Sequence, residues 1–100
     1  MATYILNDSG VPILENNTLK WAVWFQNAKR TVAATAIGND ICISTVFLGM
    51  DHNFAGEPPI LWETMVFRKL EGCEMDRCSG DFENAKIMHA KMVKKIKQER

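Results

Sequence analysis

RTVAATAIGNDICISTVFLG, residues 30 to 49, places two runs rich in β-branched residues on either side of Gly38-Asn39-Asp40. β-Branched side chains suit a pleated strand, and a short Gly-Asn-Asp connection suits a hairpin turn, so the stretch predicts two antiparallel strands. In the second strand Ile41, Ile43, Thr45 and Phe47 face one way, and Cys42, Ser44, Val46 and Leu48 the other, because side chains alternate across a strand. Neither face is strongly polar, which predicts a central strand. PILWETMVFRK, residues 59 to 69, continues the pattern, with Trp62, Thr64 and Val66 alternating against Leu61, Glu63, Met65 and Phe67. Pro58-Pro59 starts this strand where the chain can neither be helical nor donate ladder bonds.

Working outward, TYIL (3–6) predicts a short first strand closed by the turn signal NDSG. Asn17 or Thr18 suits a helix N-cap, since a short side-chain acceptor satisfies free amide groups, and the helix runs to about Ala28. Trp21, Trp24, Phe25 and Ala28 form one stripe on it, with Leu19, Ala22 and Val23 on the opposite side, so both sides need cover. LEGCEMDRCSG (70–80) reads as an acidic, glycine-punctuated connection. Asp81 or Ser79 then caps a last helix whose Ala85, Met88, Met92 and Ile96 recur at helical spacing. The expected order is β-α-β-β-β-α. It describes a single small α+β domain over residues 1–100, an antiparallel sheet with two helices packed on it.

One hundred residues give room for one modest core, and 47% hydrophobic with 24% charged residues is ordinary globular composition. No apolar run approaches the roughly 20 residues that span a bilayer, and the start shows no secretory pattern, so no membrane association is expected. Three cysteines, Cys42, Cys73 and Cys78, fit a reducing compartment. Cys73 and Cys78 form C-x4-C, a spacing open to a metal or a disulfide. With no second pair to complete four ligands, free thiols and no metal are expected. The net charge of zero hides a polarity: residues 84 to 100 carry six Lys or Arg against Glu99 alone, a local +5. Such a segment attracts phosphates or an acidic partner, or is a solvated helix face. Few aromatics interleave with the lysines, so sequence-specific nucleic-acid binding is not expected.

MDHNFAGEPP, residues 50 to 59, gathers an acid, an imidazole, an amide and an aromatic ring between glycines. A catalytic reading makes His52 a general base oriented by Asp51 or Glu63, although adjacent residues on an extended chain point apart. A metal reading joins Asp51, His52 and Glu63, with His89 as a fourth, in a spacing that matches no usual ligand pattern. A binding reading uses His52 and Phe54 as stacking faces and Asn53 for a base edge. Ser44, Thr45 and glycine amides then meet phosphate oxygens, with Lys29-Arg30 or Arg68 supplying charge. In the plainest reading Asp51 and Asn53 merely close a turn and Phe54 plugs the core. Glu63, on an otherwise apolar face, pairs with a base such as Arg30 or Lys69, or accepts from a ligand donor. Three tryptophans exceed what a small core easily hides, so a homo-oligomer, dimer or tetramer, is expected, joined through Trp21, Trp24 and Phe25.

STVFLGMDHNF (44–54) and PPILWETMVF (58–67) resemble a family of small phage-encoded proteins. In that family a strand ending STVFLG-x-DH leads into N-F, a glycine-containing loop, P-P and a strand close to L-x-E-T-M-V-F. LKWAVWFQNAKRTVAATAIG is similar to the family's helix, where W-x-x-W-F precedes a basic residue and a strand. The likeness covers about residues 18 to 68. It associates the chain with anti-CBASS sponges, phage proteins that sequester cyclic dinucleotide signals of the bacterial cyclic-oligonucleotide antiphage system. The resemblance implies an oligomeric, non-enzymatic protein of the host cell cytoplasm that binds a signal such as cyclic GMP–AMP without a cofactor. The alternative is a phage inhibitor that binds a host defence enzyme directly. Thr45, Asp51, His52, Asn53, Phe54, Glu63 and Thr64 are the matching polar and aromatic positions. The roles expected are stacking for His52 and Phe54, base edges for Asp51 and Asn53, and phosphate contacts for Arg30 with Thr45. MDHNFAGEPP is less glycine-rich than the family's loop, and residues 70–100 fall outside the likeness.

Overall fold

The computed structural model describes residues 1–69 and 74–99. The elements are β1 (Tyr4–Leu6), β2 (Pro12–Leu14), α1 (Thr18–Asn27), β3 (Thr31–Ile37), β4 (Ile41–Phe47), β5 (Ile60–Arg68), β6 (Glu74–Ser79) and α2 (Phe82–Glu99). The α+β class holds, but the order differs from β-α-β-β-β-α. β1 and β2 form their own two-stranded sheet, and β3-β4-β5-β6 form an antiparallel meander.

The first correction is β2. The NDSG turn closes a hairpin in which Asn7 Oδ1 accepts from the Ser9 and Val11 amides, both at 2.9 Å, and Gly10 takes φ +77°. The side-chain acceptor substitutes for a backbone turn partner, and the three residues after it pair back onto β1. The second is β6, expected as a connection. Glu74–Ser79 has little strand propensity, and its pairing with β5 supplies what its composition does not.

β4 is central, as its two apolar faces predicted, and its Ile43, Thr45 and Phe47 are buried. The α2 stripe of Ala85, Met88, Met92 and Ile96 lies against that face. It completes two clusters, Phe47–Leu61–Trp62–Ala85–Met88 and Ile43–Val66–Met92–Ile96. Burial of each large side chain contributes about 1.5–3 kcal/mol. Leu61 joins the first cluster although alternation sets it opposite Trp62. The register shifts between Ile60 and Trp62, so an extra residue on β5 turns inward. Asp81 caps α2 reciprocally: its carboxylate accepts from the Asn84 amide at 3.1 Å, and Asn84 Oδ1 accepts from the Asp81 amide at 3.0 Å. Asn17 caps α1 by accepting from the Lys20 amide.

Among the described residues α2 is the only helix lying along the four-stranded sheet; α1 touches it at one end, where Trp24 meets Phe47 edge-on. Among the described residues no element covers the face opposite α2. Across it run Ala34, Ser44, Met65 and Met75, then Ala36, Cys42 and Phe67, then Val46 with Glu63 and Arg77. Phe67 and Met75 are each about half exposed. No described helix is long and apolar enough to cross a membrane.

Candidate functional site

The loop between β4 and β5 is held from its mouth inward. Leu48 donates to the Leu61 carbonyl at 2.7 Å and His52 to that of Ile60 at 2.9 Å, extending the ladder past both strand ends. Gly49, at φ +76°, anchors the entry. Its carbonyl accepts from the Tyr4 amide at 2.8 Å and from the Trp21 indole at 3.0 Å.

Within the loop the two short polar side chains face the backbone. Asp51 Oδ1 accepts from the Asn53 amide at 2.7 Å and the Ile60 amide at 3.0 Å, so one carboxylate ties both arms together. Asn53 donates from Nδ2 to the Pro58 carbonyl at 2.7 Å and accepts from the Ala55 amide at 3.1 Å. Both are Asx-type closures. They occupy the groups expected for base edges, so Asp51 and Asn53 shape the loop from within. The Asp51–His52 dyad is not formed; His52 Nδ1 lies 2.8 Å from the Met50 carbonyl instead. Phe54 does not plug the core. Its ring is 77% exposed and stands 6.3 Å, centroid to centroid, from the His52 imidazole.

The other expected site residues are elsewhere. Thr45 and Thr64 are both 0% exposed under α2, because they occupy inward positions of β4 and β5, and they do not line the loop. Their hydroxyls lie 2.5 Å apart, and Thr45 Oγ1 is 2.7 Å from His89 Nδ1. His89 Nε2 is 2.8 Å from the Thr35 hydroxyl. Burial holds the imidazole pKa below its ordinary value. Glu63 is on the open face and accepts from Arg77 Nε at 2.8 Å, its cross-strand partner, in place of the expected Arg30 or Lys69. Arg30 sits over the Phe25 ring, 3.7 Å from its centroid, and donates to the Phe47 carbonyl at 3.1 Å. Arg68 is engaged by Glu74 at 2.8 Å and Glu99 at 3.2 Å.

The expected interface residues turn into the chain's own packing. Trp21 donates its indole N–H to the Tyr4 and Gly49 carbonyls and stacks on Phe25, while Trp24 packs against Phe47. The apolar side chains that α1 presents outward are Leu19 and Val23. Cys42 and Cys78 are free thiols, with burial pushing the Cys78 thiol up; Cys73, the other half of C-x4-C, lies outside the described residues, as does Arg100. No group of three or more His, Cys, Asp or Glu among the described residues could hold a metal ion. His89 as a hub was not legible as such, although it flanks the α2 stripe one residue after Met88, at a position that faces the sheet.

No family model matches the chain, and no curated protein or solved structure matches it either.

Proposed function

We propose that the protein is a phage immune-evasion factor that binds cyclic dinucleotide signals, cyclic GMP–AMP among them, and withholds them from a CBASS-type response without cleaving them. The observation that carries this is the Phe54 ring, 77% exposed beside His52 on a loop closed by its own Asp51 and Asn53. An aromatic face held out on a stiff turn loses little entropy when a base stacks on it. Arg30, partly exposed between α1 and β3, is the cation expected to meet phosphate. The resemblance of residues 18 to 68 to sponge proteins supports the same reading. Action is in the host cell cytoplasm, as a homo-oligomer whose copies meet through the open sheet face.

Calorimetry against a panel of cyclic dinucleotides, followed by recovery of the ligand after heating, tests this. Binding of at least one member and its return intact are expected, and Phe54→Ala weakens binding about 5- to 150-fold, the worth of one stacked base. No binding across the panel, or return of a linearised product, refutes it. The open apolar face favours a second reading, direct blockade of a host defence enzyme, which predicts a complex formed with no small molecule present.

A further inference from the structure

Between α2 and the edge strand β3 runs a groove of about 590 Å3 lined by Thr35, His89, Ala90, Val93, Lys94, Lys97 and Gln98. Its volume lies within the roughly 300–1,000 Å3 of small-molecule sites. Thr35 and His89 belong to the hydrogen-bonded row Thr64–Thr45–His89–Thr35, and burial fixes the direction of that row.

A neutral imidazole has one N–H. With the proton on Nδ1, His89 donates to Thr45, Thr45 donates to Thr64, and the Thr64 proton is left with no acceptor at a site 0% exposed. A donor orphaned in the interior costs about 1–3 kcal/mol. With the proton on Nε2 the row runs the other way. Thr64 donates to Thr45, Thr45 to Nδ1, and Nε2–H to Thr35, so every interior donor is used. The one proton left over is that of the Thr35 hydroxyl, which borders the groove and is only partly buried. The second arrangement is favoured, and it gives the groove a floor that donates.

The walls have the same sign. Lys94 and Lys97 form no ion pair among the described residues, whereas Lys95 is bound to Glu74 at 2.7 Å and Lys86 to Glu83 at 3.0 Å. No carboxylate lines the groove, and Val93 and Ala90 supply an apolar side. We propose that this groove is a binding site for a small phosphate ester, whose oxygens accept from the Thr35 hydroxyl and the Lys94 and Lys97 ammonium groups while its organic part lies on Val93 and Ala90. It is separate from the β4–β5 loop: α2 meets the loop end of the sheet through Ala85 and Met88, and the groove lies further along, beside Val93 and Lys97. Binding locks His89 as the Nε2–H tautomer, because an anion that takes the Thr35 proton excludes the opposite row.

The test is a nuclear magnetic resonance titration of the full chain with AMP, adenosine serving as the phosphate-free control. AMP should shift the Thr35, His89 and Val93 signals saturably, adenosine should not, and the imidazole nitrogen shifts should report Nε2–H. The Lys94→Gln/Lys97→Gln pair, on exposed positions that leave the core alone, should weaken AMP at least tenfold; Lys86→Gln/Lys91→Gln should leave it within twofold. Absence of saturable shifts, equal losses in the two lysine pairs, or a bound state with the proton on Nδ1 overturns the proposal.

Discussion

Replacing Thr45 by Val and, separately, Thr64 by Val tests the direction of the buried hydroxyl–imidazole row. Valine matches threonine in shape, so each variant removes a hydroxyl without opening a cavity. In the favoured direction Thr45 is the middle link: its hydroxyl accepts from Thr64 at 2.5 Å and donates to His89 Nδ1 at 2.7 Å. Thr45→Val strands two interior groups, the Thr64 O–H and the imidazole Nδ1, at about 1–3 kcal/mol each, for a loss of about 2–6 kcal/mol. Thr64→Val removes only the donor at the end of the row. Thr45 keeps its bond to His89, and the loss is that of one ordinary hydrogen bond, about 0.5–1.5 kcal/mol. In a domain of 100 residues each kcal/mol moves Tm by about 4–8 °C, so the two variants separate by several degrees or more. Urea unfolding followed by circular dichroism gives both values, with unchanged m confirming that stability alone moved. If Thr64→Val is neutral or stabilising, the Thr64 proton was the orphaned one, the Thr45 proton points toward Thr64, the row runs the other way, and the donor at Thr35 is lost.

Burial lowers the His89 pKa from its ordinary 6.5, so between that value and the lower folded one the unfolded chain binds more protons than the folded chain. Stability therefore falls as pH drops below about 6.5 and levels off beneath the folded pKa; His89→Gln should flatten this slope in denaturation series from pH 5 to 7.5. Gly49→Ala combines a left-handed backbone with a Cβ placed 2.9 Å from two ring carbons of Phe25, which should cost about 2–4 kcal/mol in the same assay. Met75→Glu on the open sheet face should leave a folded monomer by light scattering if copies join there; an unchanged mass excludes that face from the contact.

Elements were legible wherever one periodicity decided them. β3, β4 and β5 carry alternation that any half-buried strand requires, and Ala85, Met88, Met92 and Ile96 repeat at a spacing only a helix satisfies. β6 fails on both counts. EMDRCS has charged residues at both alternating sets and forms a strand because β5 offers it a free edge, a tertiary fact that no local pattern contains. β2 fails differently, being three residues long and beginning with Pro12, too short for alternation to register. The number of tryptophans does not by itself separate an interface from a core. Trp21 and Trp24 satisfy the chain's own needs, one by donating to two carbonyls and the other by covering the end of Phe47.

The loop divides on the same principle. Asp51 and Asn53 have side chains short enough to reach their own backbone, and in a chain that must turn sharply between two central strands those bonds are the nearest ones on offer. Phenylalanine cannot close a turn in that way, and His52 reaches back only to the Met50 carbonyl. The turn's own hydrogen bonds use Asp51 and Asn53, and Phe54 projects from the closed loop largely exposed. Thr45 and Thr64 look like site residues in sequence for the opposite reason: inward strand positions under a helix call for apolar side chains, and a hydroxyl there needs an explanation. A ligand is one, and His89 from α2 is the one the fold provides. With Nε2–H on His89, the row that begins at Thr64 uses every interior donor and leaves the Thr35 hydroxyl proton as the one over.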